Sequence, residues 1–311
     1  MTASSGVALG CGDDATLLVP QAGQQLAVSV DTSVVDVHFP REAPAFAVGH
    51  RALAVALSDL AAMGASSRWC LMALTLDQRQ FEDDKSAHAW LDGYARGFHS
   101  LAQQHSTVLA GGDVTSGDLS IGVTVMGEVP PGEALTRSGA KAGDLIAVTG
   151  ALGGGAGGLS LWKQGERDLT HPLLCRYLLP EPRIAAGVAL RGLATAALDI
   201  SDGLLADLGH LRDASRVGAL LDLEALPLAE GLERHLGPTA AQQAALSGGD
   251  DYELLVTLGS DDVAEAQHRL ATLGLNLTVI GRCREALGVS TTDQVDIRGY
   301  AGWQHFNGEA P

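Results

Sequence analysis

The 311-residue chain is long enough for two domains, and 46% of its residues are hydrophobic, which excludes an intrinsically disordered protein. Its net charge of −17 at pH 7 argues against a nucleic-acid-binding protein, because phosphate backbones are bound by basic patches. The four cysteines form no CxxC pair, which disfavours a zinc site or disulfide framework and predicts a reducing cytoplasm. No signal peptide and no apolar run of membrane-spanning length is found, so we expect no membrane association.

The first half of the chain alternates predicted strands and helices. Strands are predicted at Leu26 to Val35, at Trp69 to Leu76, from Thr107 to Ala110 onward and at Leu119 to Val129, with helices at Glu42 to Met63, broken near Ser58, and at Ala87 to Gln104. Pro130, Pro131 and Gly132 then interrupt the pattern. We place a domain boundary near Thr136, which gives domains 1–136 and 137–311.

The second half continues the same alternation. Strands are predicted at Asp144 to Thr149, Ala196 to Ile200, Ala219 to Leu223, Glu253 to Leu258 and Leu277 to Arg282, and helices at Gly157 to Lys163, Arg183 to Leu193 and Asp262 to Leu273. The sequence therefore predicts a mixed α/β fold with two α/β domains.

The stretch from Ala197 to Leu211 predicts a strand, a tight turn and a helix. Ser201 and Asp202 are helix-starting residues, and leucines recur after them at helical spacing. Asp199 and Asp202 then lie near the carboxyl end of a strand, where α/β folds place ligands and where carboxylates can bind Mg²⁺. The structural alternative is that Asp202 caps the helix and Asp199 ends the strand.

Acidic residues recur at the ends of other apolar runs, often beside glycines. These clusters are GCGDD at Gly10 to Asp14, VSVD ending at Asp31, Ser58-Asp59, LAGGD ending at Asp113 and GGDD at Gly248 to Asp251. A site for several Mg²⁺ ions and a polyphosphate would explain the repetition, because carboxylates bind the metals and the metals bind the phosphates.

Several familiar nucleotide motifs are absent or incomplete. Gly153 to Gly158 matches GxGxxG, but no acid follows about 20 residues later, so a dinucleotide fold is disfavoured. Glycine packing, or backbone amides facing a phosphate, is the better interpretation of that stretch. No lysine follows a glycine in a P-loop pattern, so any ATP-dependent activity would use another architecture.

Three isolated residues have both structural and functional interpretations. Arg137 lies either in a solvated loop or in a phosphate clamp, and the neighbouring acidic clusters favour the clamp. His38 follows the strand of Asp31, where a lone histidine is more often structural. Trp303 is either a hydrophobic plug or an aromatic platform for a substrate ring.

Seven segments together resemble the thiamine-monophosphate kinase family, in the superfamily that also holds aminoimidazole ribonucleotide synthetase and selenophosphate synthetase. They are GDDAT at Gly12 to Thr16, DTSVVDVHF at Asp31 to Phe39, LSDLAAMGA at Leu57 to Ala65, GGDVT at Gly111 to Thr115, TRSGAKAGD at Thr136 to Asp144, DISDGL at Asp199 to Leu204 and GGDDYEL at Gly248 to Leu254. In this combination and order they are highly specific, and the resemblance runs from Gly10 to Phe306, nearly the whole chain.

The resemblance implies direct in-line transfer of the ATP γ-phosphoryl group to thiamine monophosphate, without a covalent enzyme intermediate. It implies Mg²⁺ ligands at Asp13, Ser29, Val30, Asp31, Asp59, Asp113, Asp199 and Asp202, of which Val30 offers only its backbone. It implies ATP contacts at Gly112, Asp113, Arg137 and Ser201, acceptor contacts at His38, Asp250 and Trp303, and catalytic roles for Asp113, Asp202 and Arg137.

The same resemblance implies a cytoplasmic homodimer. The N-terminal ATP- and metal-binding domain would pair its sheet into a shared β-barrel, and the C-terminal α/β domain would complete an active site in the cleft between the domains. Asp250 occupies a position where the family usually has Glu. Two alternatives are a sister ATP-dependent enzyme with another acceptor and an inactive nucleotide- or metal-binding homologue.

Overall fold

The computed structural model describes residues 6–297 and residue 302. Contacts between Cα atoms divide the chain into two compact units: Met1–Leu60 with Ala65–Ala134, and Ala61–Gly64 with Leu135–Pro311. Both units combine strands and helices, which confirms the predicted mixed α/β class.

The first unit contains a short hairpin, a four-stranded sheet and two long helices. In chain order they are β1 (Val7–Leu9), β2 (Leu17–Leu18), β3 (Gln25–Val34), α1 (Ala45–Ala62), β4 (Ser66–Leu76), α2 (Asp84–Gln104), β5 (Val108–Ser116) and β6 (Ser120–Val129). The sheet has the order β3-β6-β4-β5, in which β4 and β5 are parallel and the other neighbours are antiparallel. A 3-10 helix, Gln78–Gln80, follows β4.

Helix α1 is continuous, so the predicted break near Ser58 is wrong. Ser58 is fully buried between Leu57 and Leu60, and this burial keeps the residue helical despite its preference for caps. By length and composition α1 could cross a membrane, contrary to our expectation of no such run, but 78% of it is buried inside the structure. Its apolar composition is therefore that of a core helix.

Strand β5 runs past the predicted Gly-Gly-Asp end. Gly112 and Asp113 align with Met72 and Ala73 of β4, and this pairing keeps the chain extended as far as Ser116. Asp113 therefore lies inside a strand rather than after one. Local composition could not reveal this, because glycine and aspartate are both uncommon within strands.

The second unit contains a six-stranded sheet and several helices. In chain order they are β7 (Leu145–Thr149), α3 (Gly154–Lys163), α4 (Pro172–Leu178), α5 (Ile184–Ala189), β8 (Ala194–Asp199), α6 (Leu204–Ser215), β9 (Gly218–Leu221), a 3-10 helix (Leu223–Ala225), α7 (Leu232–Leu236), α8 (Pro238–Ser247), β10 (Leu254–Leu258), α9 (Val263–Ala271), β11 (Leu277–Arg284) and β12 (Val289–Thr291). The sheet order is β12-β9-β11-β7-β10-β8. Among the described strand pairs of this sheet, only β12–β9 is parallel. Strand β8 lies at the edge and pairs with β10 in the antiparallel direction.

The predicted starts and ends of two helices in this unit are wrong. Helix α5 ends at Ala189, four residues before the predicted Leu193. Helix α6 begins at Leu204 rather than at Ser201 or Asp202, with Gly203 at the N-cap in a conformation with φ of 112°. Leu204, Leu208 and the following turn of α6 are buried against the sheet, and this packing sets where the helix begins.

Candidate active site

Three predicted metal ligands, Ser29, Asp31 and Asp59, meet where β3 faces α1. The Ser29 hydroxyl donates a hydrogen bond to the Asp59 carboxylate. Burial, together with the negative charge of Asp59, raises the pKa of Asp31 from 3.8 to about 6. Two carboxylates and a hydroxyl are hard oxygen ligands, and a divalent cation would offset the repulsion between the two acids. The residues present therefore fit Mg²⁺.

Asp113 lies far from this pair on the same sheet. Asp31 is in register with Val123, Met72 and Gly112 across β6, β4 and β5. Three strand spacings amount to about 14 Å. Because Mg²⁺–oxygen bonds are about 2.1 Å long, Asp31 and Asp113 cannot bind the same ion.

Asp13 belongs to a loop that is attached to β5. The Thr16 hydroxyl donates to the Ala110 carbonyl at 2.8 Å, and the Cys11 thiol lies 3.7 Å from the same oxygen. Asp13 itself is exposed and accepts a hydrogen bond from the Asp14 amide. Within the described residues, no group of three or more His, Cys, Asp or Glu side chains is arranged to hold one metal ion. Among the predicted carboxylate ligands of this unit, Asp31 and Asp59 thus form a pair, and Asp13 and Asp113 are separate from it.

Two other predicted site residues lie in the sheet of this unit: Val30, which is more exposed than its neighbours along β3, and Gly112, where only glycine fits. Val30 is 65% exposed, whereas Ser29 and Asp31 on either side of it are half-buried, as alternation along a strand requires. A Cβ on Gly112 would lie 2.1 Å from the Met72 carbonyl oxygen, so no larger residue fits there.

His38 is held in the turn that follows β3. Its Nδ1 accepts a hydrogen bond from the Val34 amide at 3.0 Å, and its carbonyl accepts one from Arg51 Nε at 3.1 Å. With Nδ1 accepting, the neutral ring carries its proton on Nε2. In the same loop, Arg41 donates two hydrogen bonds, from Nε and Nη2, to Asp36 Oδ2.

In the second unit, the turn after β8 is organised by a carboxylate that the sequence analysis missed. Asp207 accepts hydrogen bonds from the amides of Ser201, Asp202 and Gly203, each at 3.1 Å. Burial and the charges of Asp199 and Asp202 raise the pKa of Asp207 to about 7. Its signal was present, because an acid stands among the leucines on the buried side of a predicted helix.

The GGDD segment runs beside this turn and joins it through the backbone. The Asp250 amide donates to the Ser201 carbonyl at 2.9 Å, and the Tyr252 amide donates to the Ile200 carbonyl at 2.8 Å. The Ile200 amide donates in turn to the Glu253 carbonyl at 2.8 Å. Two predicted substrate-contacting residues from distant motifs are thereby backbone neighbours.

Two further acids of this segment, Asp251 and Glu253, have structural partners. Asp251 accepts the amides of Gly153 and Gly155 at 2.8 and 3.3 Å. The glycine-rich amides therefore face an internal carboxylate and not a phosphate. A Cβ on Gly155 would lie 2.4 Å from the Asp250 carbonyl oxygen, so the glycines serve close packing.

Glu253 is the centre of a buried ionic network. It is 0% exposed and binds Arg183 through two hydrogen bonds of 2.6 and 2.8 Å. Arg176 lies 2.8 Å from one carboxylate oxygen, and the Thr149 hydroxyl 2.7 Å from the other. Local sequence patterns do not reveal this role, because Thr149 and Glu253 meet only through sheet pairing.

Arg137 is exposed, but its backbone is fixed beside β8. Its carbonyl accepts the Ser215 hydroxyl at 3.0 Å, and the preceding Thr136 carbonyl accepts the Ala197 amide at 2.8 Å. Asp199 is two residues farther along β8 than Ala197, a distance of about 7 Å along the strand. The predicted acceptor contact at Trp303 lies outside the described residues.

Comparison with known proteins gives the family of the chain. Residues 12–129 match the AIR synthase related protein N-terminal domain, and residues 141–293 match the C-terminal domain of the same family. Thiamine-monophosphate kinase of Escherichia coli strain K12 is 43% identical over 308 residues, which is 96% of this chain and 92% of the relative. The chain belongs to the thiamine-monophosphate kinase family.

Solved structures agree with this family. Thiamine-monophosphate kinase from Stenotrophomonas maltophilia K279a superimposes with a TM-score of 0.86 at 45% identity, covering 94% of this chain and 92% of that one. AaThiL complexed with AMPPCP and TMP superimposes with a TM-score of 0.81 at 30% identity, covering 93% and 89%.

Proposed function

We propose that the chain transfers the γ-phosphoryl group of ATP to thiamine monophosphate, giving thiamine diphosphate and ADP. One observation carries the proposal. The Asp250 amide, in the segment assigned to the acceptor, hydrogen-bonds the carbonyl of Ser201, which is assigned to ATP, at 2.9 Å. Direct transfer needs donor and acceptor in contact, and two joined segments provide that proximity. The AaThiL complex, with an ATP analogue and TMP bound together, supports the same arrangement.

The proposed step is an in-line displacement. An oxygen of the thiamine phosphate forms a bond to the γ-phosphorus, and the bond from that phosphorus to the β–γ bridging oxygen breaks. ADP leaves with the electron pair. Because the attacking phosphate is already anionic, the reaction depends on alignment and charge neutralisation more than on a strong base.

We assign the Mg²⁺ ligands in two groups. When bound, Mg²⁺ would neutralise phosphate charge and hold the phosphate oxygens in place. Asp31 and Asp59 with Ser29 form one site in the first unit, and we assign Asp13, Asp113 and the Val30 backbone to further ions bound by that unit. In the second unit Asp199 and Asp202 are the ligands.

The remaining assignments concern the substrates. Gly112, Ser201 and Arg137 contact ATP, where the fixed Arg137 backbone lets the guanidinium bind phosphate oxygens as a fork. His38 and Asp250 contact the acceptor, with His38 Nε2–H directed to its phosphate. Trp303 completes the acceptor set. Asp113, Asp202 and Arg137 carry the main catalytic burden.

We propose further that residues 1–136 form the ATP- and metal-binding domain and pair with a second copy to build a β-barrel, and that residues 137–311 complete the active site. Leu26, Val28 and Val30 alternate along edge strand β3 and are 45, 58 and 65% exposed. Such an apolar edge is typical of an interface. The net charge of −17 and the four free cysteines support a cytoplasmic protein without nucleic-acid or membrane partners.

A product assay tests the proposed function. Purified protein would be incubated with MgATP and thiamine monophosphate or, separately, free thiamine. We expect thiamine diphosphate from the monophosphate alone, and no product with EDTA. ATP consumption only with a different phosphorylated acceptor would instead favour a sister enzyme, and Mg²⁺-dependent ATP binding without turnover would favour an inactive homologue.

A substitution tests the metal assignment within the same assay. We expect Asp113→Asn to abolish turnover, because an amide is a poor ligand for Mg²⁺ and the substitution removes a negative charge. Asp92→Asn, an exposed position on α2, serves as the matched control and should behave as wild type. Unchanged activity in Asp113→Asn would remove this residue from the metal site.

A further inference from the structure

Tyr252 adopts a backbone conformation that tyrosine rarely takes. Its φ is 51°, and that of Asp250, two residues earlier, is 68°. Left-handed backbone is disfavoured for non-glycine residues, and aspartate tolerates it better than tyrosine. Strain of this kind persists only where the surroundings enforce it, and it concentrates at functional sites.

The surroundings of Tyr252 enforce the conformation from both sides. The Asp251 carboxylate is tied to the amides of Gly153 and Gly155, and the Glu253 carboxylate to Arg176 and Arg183. Both carboxylates are buried inside the unit, and they fix the backbone next to Tyr252. The backbone amides of Asp250 and Tyr252 are bound to the turn at Ile200 and Ser201.

This strained arrangement places the Tyr252 side chain against that of Asp250. The Tyr252 hydroxyl donates a hydrogen bond to Asp250 Oδ1 at 2.9 Å. Tyr252 is only 8% exposed, so its ring is held by packing while its hydroxyl reaches the carboxylate. A hydrogen bond to a charged oxygen fixes the orientation of that carboxylate.

We propose that Tyr252 is a positioning residue for the acceptor, acting through Asp250. This inference rests on the proposed function, which assigns Asp250 to thiamine monophosphate. Asp250 is one methylene shorter than the glutamate usual in the family, so its carboxylate reaches less far from the backbone. The tyrosine hydroxyl holds that shorter side chain in the one orientation that meets the acceptor, and therefore sets acceptor affinity.

The test is Tyr252→Phe, which removes the hydroxyl and keeps the ring. We expect the KM for thiamine monophosphate to rise about tenfold, as loss of one hydrogen bond to a charged group implies. The KM for ATP and the melting temperature should stay close to wild type. Tyr177→Phe, at another buried tyrosine of the same unit, is the matched control and should leave both KM values unchanged.

A double-mutant cycle separates positioning from a merely structural role. If Tyr252 acts through Asp250, Tyr252→Phe should have almost no further effect on the acceptor KM in an Asp250→Ala background. Full additivity, or a fall in kcat and melting temperature with an unchanged acceptor KM, would overturn the inference. Wild-type protein that makes no thiamine diphosphate would instead overturn the proposed function, and this inference with it.

Discussion

The acidic residues of the two units differ in what surrounds them. In the first unit Asp31 and Asp59 approach each other, and their mutual charge contributes to the raised pKa of Asp31. In the second unit Asp207, Asp251 and Glu253 accept backbone amides or arginine side chains. The first set has a charge repulsion that a bound cation would relieve, whereas the second already serves the fold. We therefore expect substitution of an acid in the second set to lower stability, and substitution of an acid in the first set to leave it unchanged or raise it.

The largest effect should come from Glu253→Ala. It leaves two arginines beside an empty buried position, and breaking a buried ion pair in this way costs about 3–5 kcal/mol of unfolding free energy. Denaturant unfolding measures the loss. Glu265→Ala removes the exposed partner of Arg269 and should leave the unfolding free energy close to that of wild type. Equal losses in the two variants would show that the buried network does not stabilise this unit.

The next effect concerns pH and Asp251, whose burial raises its pKa from 3.8 to about 7. Between about pH 4 and 7 the unfolded chain releases this proton while the folded chain keeps it, so the unfolding free energy falls as pH rises. Asp251→Asn cannot titrate and should lack this decline, which amounts to at most about 4 kcal/mol.

Unfolding curves of wild type and Asp251→Asn at several pH values test that sign. Asp83, which caps α2, provides a control in which stability changes with pH in the opposite direction. Its hydrogen bonds with Ser86 lower its pKa. Its contribution is present above pH 3.8 and is lost as the pH falls below that value. A wild-type stability that rises relative to Asp251→Asn between pH 4 and 7 would contradict the assignment.

The sequence predicted features that depend on neighbouring residues, but it did not reveal contacts between residues far apart in the chain. Periodicity and apolar runs located most strands and the long helices, and the motifs identified Asp31, Asp59, Asp199 and Asp250 as candidates. Local patterns could not reveal that Glu253 meets Thr149, because the two residues lie 104 positions apart. Short helices such as α7, with five residues, carry too little periodicity to be recognised.

The errors have the same origin. Ser201 and Asp202 have the chemistry of helix caps, but their amides are bound by Asp207 from inside the helix, and the helix starts after Gly203. Asp113 looked like the end of a strand because its pairing with β4 is a tertiary contact. In both cases a contact outside the motif decided the conformation: the Asp207 carboxylate of the following helix in the first, and the neighbouring strand β4 in the second.

Asp207→Ala should have an intermediate effect. It leaves the amides of three consecutive residues without their acceptor, and we expect a loss of about 2 kcal/mol in unfolding free energy. Activity should fall as well, because Ser201 and Asp202 lose their fixed positions. Asp213→Ala, at an exposed position of the same helix, is the control and should change stability by less than about 0.5 kcal/mol. An Asp207→Ala protein as stable as this control would refute the capping role.

The smallest effect, and the one that divides the units most clearly, is that of Asp59→Asn. The amide oxygen can still accept the Ser29 hydroxyl, while the negative charge beside Asp31 disappears. In EDTA we therefore expect unchanged or slightly increased stability, by up to about 1 kcal/mol, although turnover is lost. In wild type, Mg²⁺ should supply the same relief, so adding it should erase or reverse the difference between the two proteins. A clear loss of stability in EDTA would mean that Asp59 belongs with the structural acids, and the contrast between the units would fail.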